Sequence, residues 1–242
     1  MSYFDGFVIP VPTANRQEFI AHANQGDAVF KDEGATRIVE AWGDDVPKGK
    51  VTDFQGAVQA KEDETVVFSW IEWPDKASRN AAMARSEEWM KDPRMDPKKN
   101  PMPFDGKRMI YGGFDSLVDE GDGGGEYADG YLVPVPEVRK EDYRAVAAKM
   151  VPLFREFGAT RVVEAWADDI PDGKVTDYRR AVKAEDGENV VFSFVEWPDK
   201  ETRDAGWRKM MEDERAKPEG EMPFDGKRMI FGGFSEIATS AA

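Results

Sequence analysis

GATRIVEAW (residues 34–42) returns as GATRVVEAW (residues 158–166), with one Ile-to-Val exchange in nine positions. The match grows outward from there. At an offset of 124, Tyr3 to Lys76 overlie Tyr127 to Lys200 with 38 identities in 74 positions. Further on, at an offset of 120, MPFDGKRMIYGGF (102–114) meets MPFDGKRMIFGGF (222–234), 12 of 13 identical. The second copy is therefore four residues shorter, and the loss falls near DPRMDPKKN (92–100). Copies of about 110 residues exceed the 20–50 residues of a solenoid unit, so each reads as a domain.

The boundaries follow: a first repeat over 3–114, a connector over 115–126 and a second repeat over 127–234. The connector, DSLVDEGDGGGE, has five acidic residues and no basic ones. Gly and acid in that mixture predict a solvated, flexible tether. Within a copy, Tyr3 to Val11 predicts a strand stopped at Pro12, with Thr13 placed to cap the next helix. Phe19, Ala23, Gly26 and Phe30 mark one face of that helix, and Gly34 its end. Thr36 to Trp42 and Val66 to Trp73 are rich in β-branched and aromatic residues and read as strands. Asp75 can cap a helix running to about Lys91, and Arg108 to Phe114 is the closing strand. The order βαββαβ predicts an α+β fold: two ferredoxin-like domains, each an antiparallel sheet with both helices on one face. The bare sheet faces must be buried, and each copy can cover the other around a pseudo-twofold axis, making an intrachain α+β barrel.

The strings DGFVIPVP, GATRIVEAWGDDVPKGKVTDF, VVFSWIEWPDK and MPFDGKRMIYGGF resemble the YbaA-like family of uncharacterised bacterial proteins, a group of unknown function in the dimeric α+β barrel superfamily. The resemblance covers nearly all of both copies. It implies barrel pairing, here with both halves in one chain where members usually pair as single-domain chains. It transfers no catalytic residue. The wider superfamily holds cofactor-free monooxygenases, haem-degrading enzymes, isomerases and stress-associated barrels, so membership alone selects no reaction.

Composition narrows the partners. The 242 residues carry 33 Lys+Arg against 48 Asp+Glu, a net charge of -15. That charge repels nucleic acid and anionic membrane surfaces and leaves small molecules as the expected partners, with further oligomerisation open. With no Cys, disulfides and Cys-ligated metals are excluded. No basic stretch precedes a long apolar run and no 18 apolar residues stand together, so a cytoplasmic protein is expected.

His22 is the single imidazole, and its counterpart is Val146. Beside the apolar helix face it reads as a structural, partly buried His. Gly49-Lys50-Val51-Thr52 lacks the spacing of a phosphate loop, and Pro47-Lys48-Gly49 and Pro171-Asp172-Gly173 are turns. Asp44, Asp45 and Asp53, repeated as Asp168, Asp169 and Asp177, read as turn acids or local ion pairs, and no metal site is expected.

The strand carboxylates rank highest. Strand alternation puts Ile38, Glu40 and Trp42 on one face with Arg37, Val39 and Ala41 on the other, while Phe68, Trp70 and Glu72 share a face. A carboxyl among aromatic rings has its pKa raised toward neutrality unless a cation compensates. Glu40, Glu72, Glu164 and Glu196 are accordingly the acid/base candidates, and Trp42, Trp70, Trp166, Arg37 and Arg161 the candidate ligand contacts. Ion pairing with Arg37, Arg108 or Lys107 and their repeats is the structural alternative. The expected function is binding or conversion of a small apolar or aromatic compound without metal or cofactor; the alternative is a non-catalytic interaction or stress-associated protein with a filled barrel. A cavity holding carboxyls and polar donors would favour the first; a filled interior with each Glu paired to Arg, the second.

Overall fold

The computed structural model describes residues 1–218 and 220–241. In the first repeat, β1 (Tyr3–Pro12) passes through a 3-10 turn at Thr13–Asn15 into α1 (Arg16–Asp32). There follow β2 (Arg37–Asp45), α2 (Phe54–Ala57), β3 (Glu64–Trp73), α3 (Lys76–Ala84), α4 (Ser86–Trp89) and β4 (Ile110–Gly121). The second repeat has β5 (Tyr127–Pro136), α5 (Lys140–Glu156), β6 (Arg161–Asp169), α6 (Tyr178–Ala181), β7 (Glu188–Trp197), α7 (Lys200–Glu212) and β8 (Ile230–Ala241).

Local chemistry sets most boundaries. The Ser78 N–H donates to Asp75 Oδ1 and the Thr202 N–H to Asp199 Oδ1, each at 2.7 Å, so both aspartates cap their helices. Thr13 does not cap α1, because its hydroxyl meets that of Thr65 at 2.8 Å across the β1–β3 ladder and the helix starts three residues later. The helix expected to run to Lys91 breaks at Arg85.

The eight strands close into one antiparallel barrel in the order β1-β3-β2-β8-β5-β7-β6-β4. Each repeat supplies a ferredoxin-like sheet, and the repeats join along two seams. β4 pairs with β1 through Asp115 and carries on against β6 as far as Gly121; β8 does the same between β5 and β2. The expected tether therefore needs correction. Residues 115–121 are strand, held by the ladder that β6 offers and by Leu117 and Val118, which pack with the outer core of the second repeat. Of the glycines that follow, Gly125 packs closely: a Cβ there would lie 1.9 Å from the Trp197 carbonyl oxygen, so only glycine fits.

The barrel interior is filled. Phe68 and Phe192, one from each repeat, stack at its centre with centroids 4.5 Å apart. Gly6 and Gly130 make room for them, since a Cβ on Gly6 would come within 2.6 Å of the Phe192 ring and one on Gly130 within 3.1 Å of Phe68. Phe54 and Tyr178, on α2 and α6, plug one end. Reciprocal hydrogen bonds hold the plugs: the Thr52 hydroxyl donates to the Ala181 carbonyl and the Thr176 hydroxyl to the Ala57 carbonyl, both at 2.5 Å. The longer helices cover the outer face, where α1 sets Phe19 and Ala23 against Ile9, Trp42 and Val67.

Candidate functional site

Strand alternation sorts the four candidate glutamates into two environments. Val39 and Ala41 point into the barrel with Phe68 and Trp70, so Arg37 and Glu72, paired in the β2–β3 register, share that inner face. Glu40 and its neighbour Ser69 take the outer face, beneath α1. The second repeat places Arg161 and Glu196 inside and Glu164 outside in the same way.

At the barrel end opposite the plugs, the inward charges form a reciprocal cluster. Arg161 Nη1 donates to both Glu72 oxygens at 2.9 Å, and Arg37 Nη2 to Glu196 Oε1 at 2.5 Å. Each arginine thus engages the glutamate of the other repeat. The Trp70 indole N–H adds a bond to Glu72 Oε1 at 3.0 Å, and the Gly124 N–H one to Glu196 Oε1 at 3.2 Å. Asp119 on β4 and Glu236 on β8, neither singled out in the sequence, face Arg161 at 2.8 Å and Arg37 at 3.5 Å. Here Glu72 and Glu196 follow the ion-pair alternative. Arg37 and Arg161, proposed above as ligand contacts, are spent on carboxylates, with side chains only 13% and 8% exposed.

Among the described residues the outward glutamates have no such cation. Glu40 accepts a hydrogen bond from the Ser69 hydroxyl and lines a cavity of about 300 Å³ between α1, the sheet and the loop after α4. Phe7, Phe19, Phe30, Ile71, Phe104 and Met109 are among its apolar walls. Asp27, 5% exposed, lines the same cavity, and its Oδ2 has no hydrogen-bond partner. Burial pushes the Asp27 carboxyl up to about 7. Burial, then the Asp27 charge, push Glu40 well above the usual carboxylate range, and the Ser69 hydrogen bond offsets only part of this. His22 lines the cavity as well; its Nδ1 lies 2.9 Å from Asn100 Oδ1, and burial lowers its pKa.

The second repeat carries the matching cavity, reduced to about 210 Å³. Met150 replaces Gly26, and Val146 and Val151 replace His22 and Asp27. Its one acid, Glu164, accepts a hydrogen bond from the Tyr143 hydroxyl at 2.7 Å and another from Ser193; burial still pushes it up to about 7. Tyr143 stands where the first repeat has Phe19.

None of the three candidate tryptophans lines either cavity. Trp70 is inside the barrel, stacked on Phe194 at 4.2 Å. Trp42 packs against Phe19, and Trp166 lies under the Lys140 ammonium at 5.0 Å. The loop acids join the repeats: Asp44 meets Lys200 and the Tyr127 hydroxyl, Asp168 meets Lys76 and the Tyr3 hydroxyl, and Asp53 and Asp177 cap α2 and α6. Asp27 was missed, although a signal existed: it stands eight residues after Phe19 and four after Ala23, an acid on the apolar face of its helix.

Comparisons with known proteins agree with this architecture. The chain is 63% identical over 113 residues to the uncharacterized protein YbaA of Escherichia coli strain K12, a match covering 46% of this chain and 97% of that protein. In three dimensions it is similar to a candidate monooxygenase from Fusobacterium nucleatum, with a TM-score of 0.57 at 10% identity over 99% of this chain and 94% of that one. An anthrone oxidase-like protein gives a TM-score of 0.53 at 13% identity over 100% and 93%. At such identities the likeness shows a shared α+β barrel fold. Among the described residues no helix is long and apolar enough to cross a membrane. A family model matches over residues 2–106 and again over 126–226, so the chain belongs, twice in tandem, to the family described as a protein of unknown function (DUF1428).

Proposed function

We propose that the cavity of the first repeat binds a small, mainly apolar compound and that Asp27 and Glu40 move a proton to or from it. The observation carrying this reading is a pair of buried carboxyls that form no ion pair among the described residues, in an apolar cavity of about 300 Å³. Two such groups do not ionise together; one holds a proton while the other is free to accept one, which makes the pair both acid and base near neutral pH. The surrounding rings keep water from competing. A filled barrel supports the non-catalytic alternative for the barrel itself, but this cavity lies outside the barrel. The expected setting is cytoplasmic, with a small molecule as partner, because a charge of -15 disfavours nucleic acid and anionic lipid.

The names of the structural neighbours suggest fused aromatic compounds as the first to screen. With anthrone and related compounds in a thermal-shift panel, a ligand at a hundredfold excess over its Kd is expected to raise the melting temperature by about 5–10 °C. The shift survives Glu164→Gln and disappears in Asp27→Asn/Glu40→Gln. For a hit with an acidic C–H, solvent deuterium exchange accelerated by the protein slows by about 10²–10⁴ in the double variant. Shifts that persist in that variant, or vanish with Glu164→Gln, would place binding elsewhere.

A further inference from the structure

Resting on that reading of the cavity, we infer that its ligand is an organic cation: a primary or secondary amine on an apolar body. The charged and titratable groups lining the cavity are His22 and Asp27 from α1, Glu40 from β2, and Arg94 from the loop after α4. The Arg94 charge is already matched, its guanidinium paired with Asp92 at 2.8 Å and Asp32 at 2.7 Å. The Ser69 hydroxyl proton is committed to Glu40.

Asn100 fixes the remaining group. Its Nδ2 donates to the carbonyls of His22 and Arg94 at 3.2 and 2.8 Å, so its Oδ1 is the atom facing His22 Nδ1. That oxygen can only accept, so Nδ1 carries the proton of the neutral ring and Nε2 is left as an acceptor. His22, Asp27 and Glu40 therefore offer more acceptors than donors, the one proton that the carboxyl pair holds being the donor among them. A ligand carboxylate or phosphate meets repulsion, and a bare carbonyl matches only the single proton of the pair. An ammonium supplies three donors and the missing positive charge. Held by one carboxyl it also ionises the pair, leaving the other carboxylate as the base that the proposed function requires.

The second repeat is the internal comparison. There the donor comes from the chain itself, as the Tyr143 hydroxyl on Glu164. Phe19 has no hydroxyl, and the first cavity gains a second acid, Asp27, about two turns further along the same helix, where the other repeat has Val151. One cavity completes its own hydrogen bonding; the other leaves that to its occupant.

Three probes of one shape separate the possibilities: 2-naphthylmethylamine, 2-naphthylmethanol and 2-naphthoate, titrated calorimetrically into the full chain. The amine is expected to bind at least about tenfold tighter than the alcohol, and the naphthoate not at all. Repeated near neutral pH in buffers of different ionisation heat, amine binding releases protons, because it displaces the one the carboxyl pair holds. Asp27→Asn removes the preference for amine over alcohol. Phe19→Tyr does so too, by giving Glu40 the donor Glu164 already has, and it serves if the first variant fails to fold. Equal or tighter binding of the alcohol without proton release overturns the amine assignment while leaving the proposed function standing. Binding of the naphthoate, or of none of the three while the panel above also yields no hit, overturns both.

Discussion

Arg161→Met is expected to cost about 3–5 kcal/mol in denaturant unfolding. The change strips Glu72 of its two 2.9 Å bonds and Asp119 of its partner at 2.8 Å, while Glu72 stays 6% exposed with only the Trp70 N–H at 3.0 Å and Arg37 at 3.4 Å left beside it. Arg85→Met is the control. Its 2.6 Å pair with Glu33 sits at the surface with the arginine side chain 47% exposed, so the loss there is about 0–1 kcal/mol. Adding Glu72→Gln to Arg161→Met should recover part of the loss, because the penalty comes from the stranded carboxylate and not from the absent bond. Equal effects of Arg161→Met and Arg85→Met would show that the cluster does not staple the repeats.

The second large effect has the opposite sign. Glu164→Gln is expected to stabilise the protein by on the order of 3 kcal/mol at pH 8 and to change little at pH 4. Burial raises the Glu164 carboxyl from 4.5 to about 7 in the folded chain. The folded state then binds the proton more tightly than the unfolded chain does. Stability is therefore full below the unfolded value and is lost as pH rises through the folded one. Glutamine keeps the shape and never ionises, so the loss above pH 7 disappears. Glu40→Gln shifts in the same direction, since burial and Asp27 raise that carboxyl too. A lower melting temperature for both glutamine variants across the whole pH range would mean that hidden cations compensate these acids.

Which parts of this were legible in the sequence follows from what each kind of signal measures. The duplication and the βαββαβ order were plain, because apolar periodicity reports burial and the two copies repeat it. Alternation also put Arg37 and Glu40 on opposite faces of one strand, as the structure has them. It could not say that Glu72 faces Arg161, since that pairing needs the second repeat wrapped into the same barrel. Residues 115–126 looked like a tether because as a whole they are acidic and Gly-rich; the Leu117–Val118 pair was too short an apolar signal to mark a strand that takes its ladder from β6. Asp27 broke the helical pattern by one residue, and its meaning depended on Glu40 lying beneath it across the α1–sheet packing.

The central claim is an uncompensated carboxyl pair in the first cavity, and carbon-13 NMR titration of the side-chain carboxyls tests it most directly, with Asp27→Asn and Glu40→Gln assigning the two resonances. The account predicts that Asp27 titrates at about 7 and Glu40 well above its ordinary range. Midpoints near about 4 for both groups would contradict it.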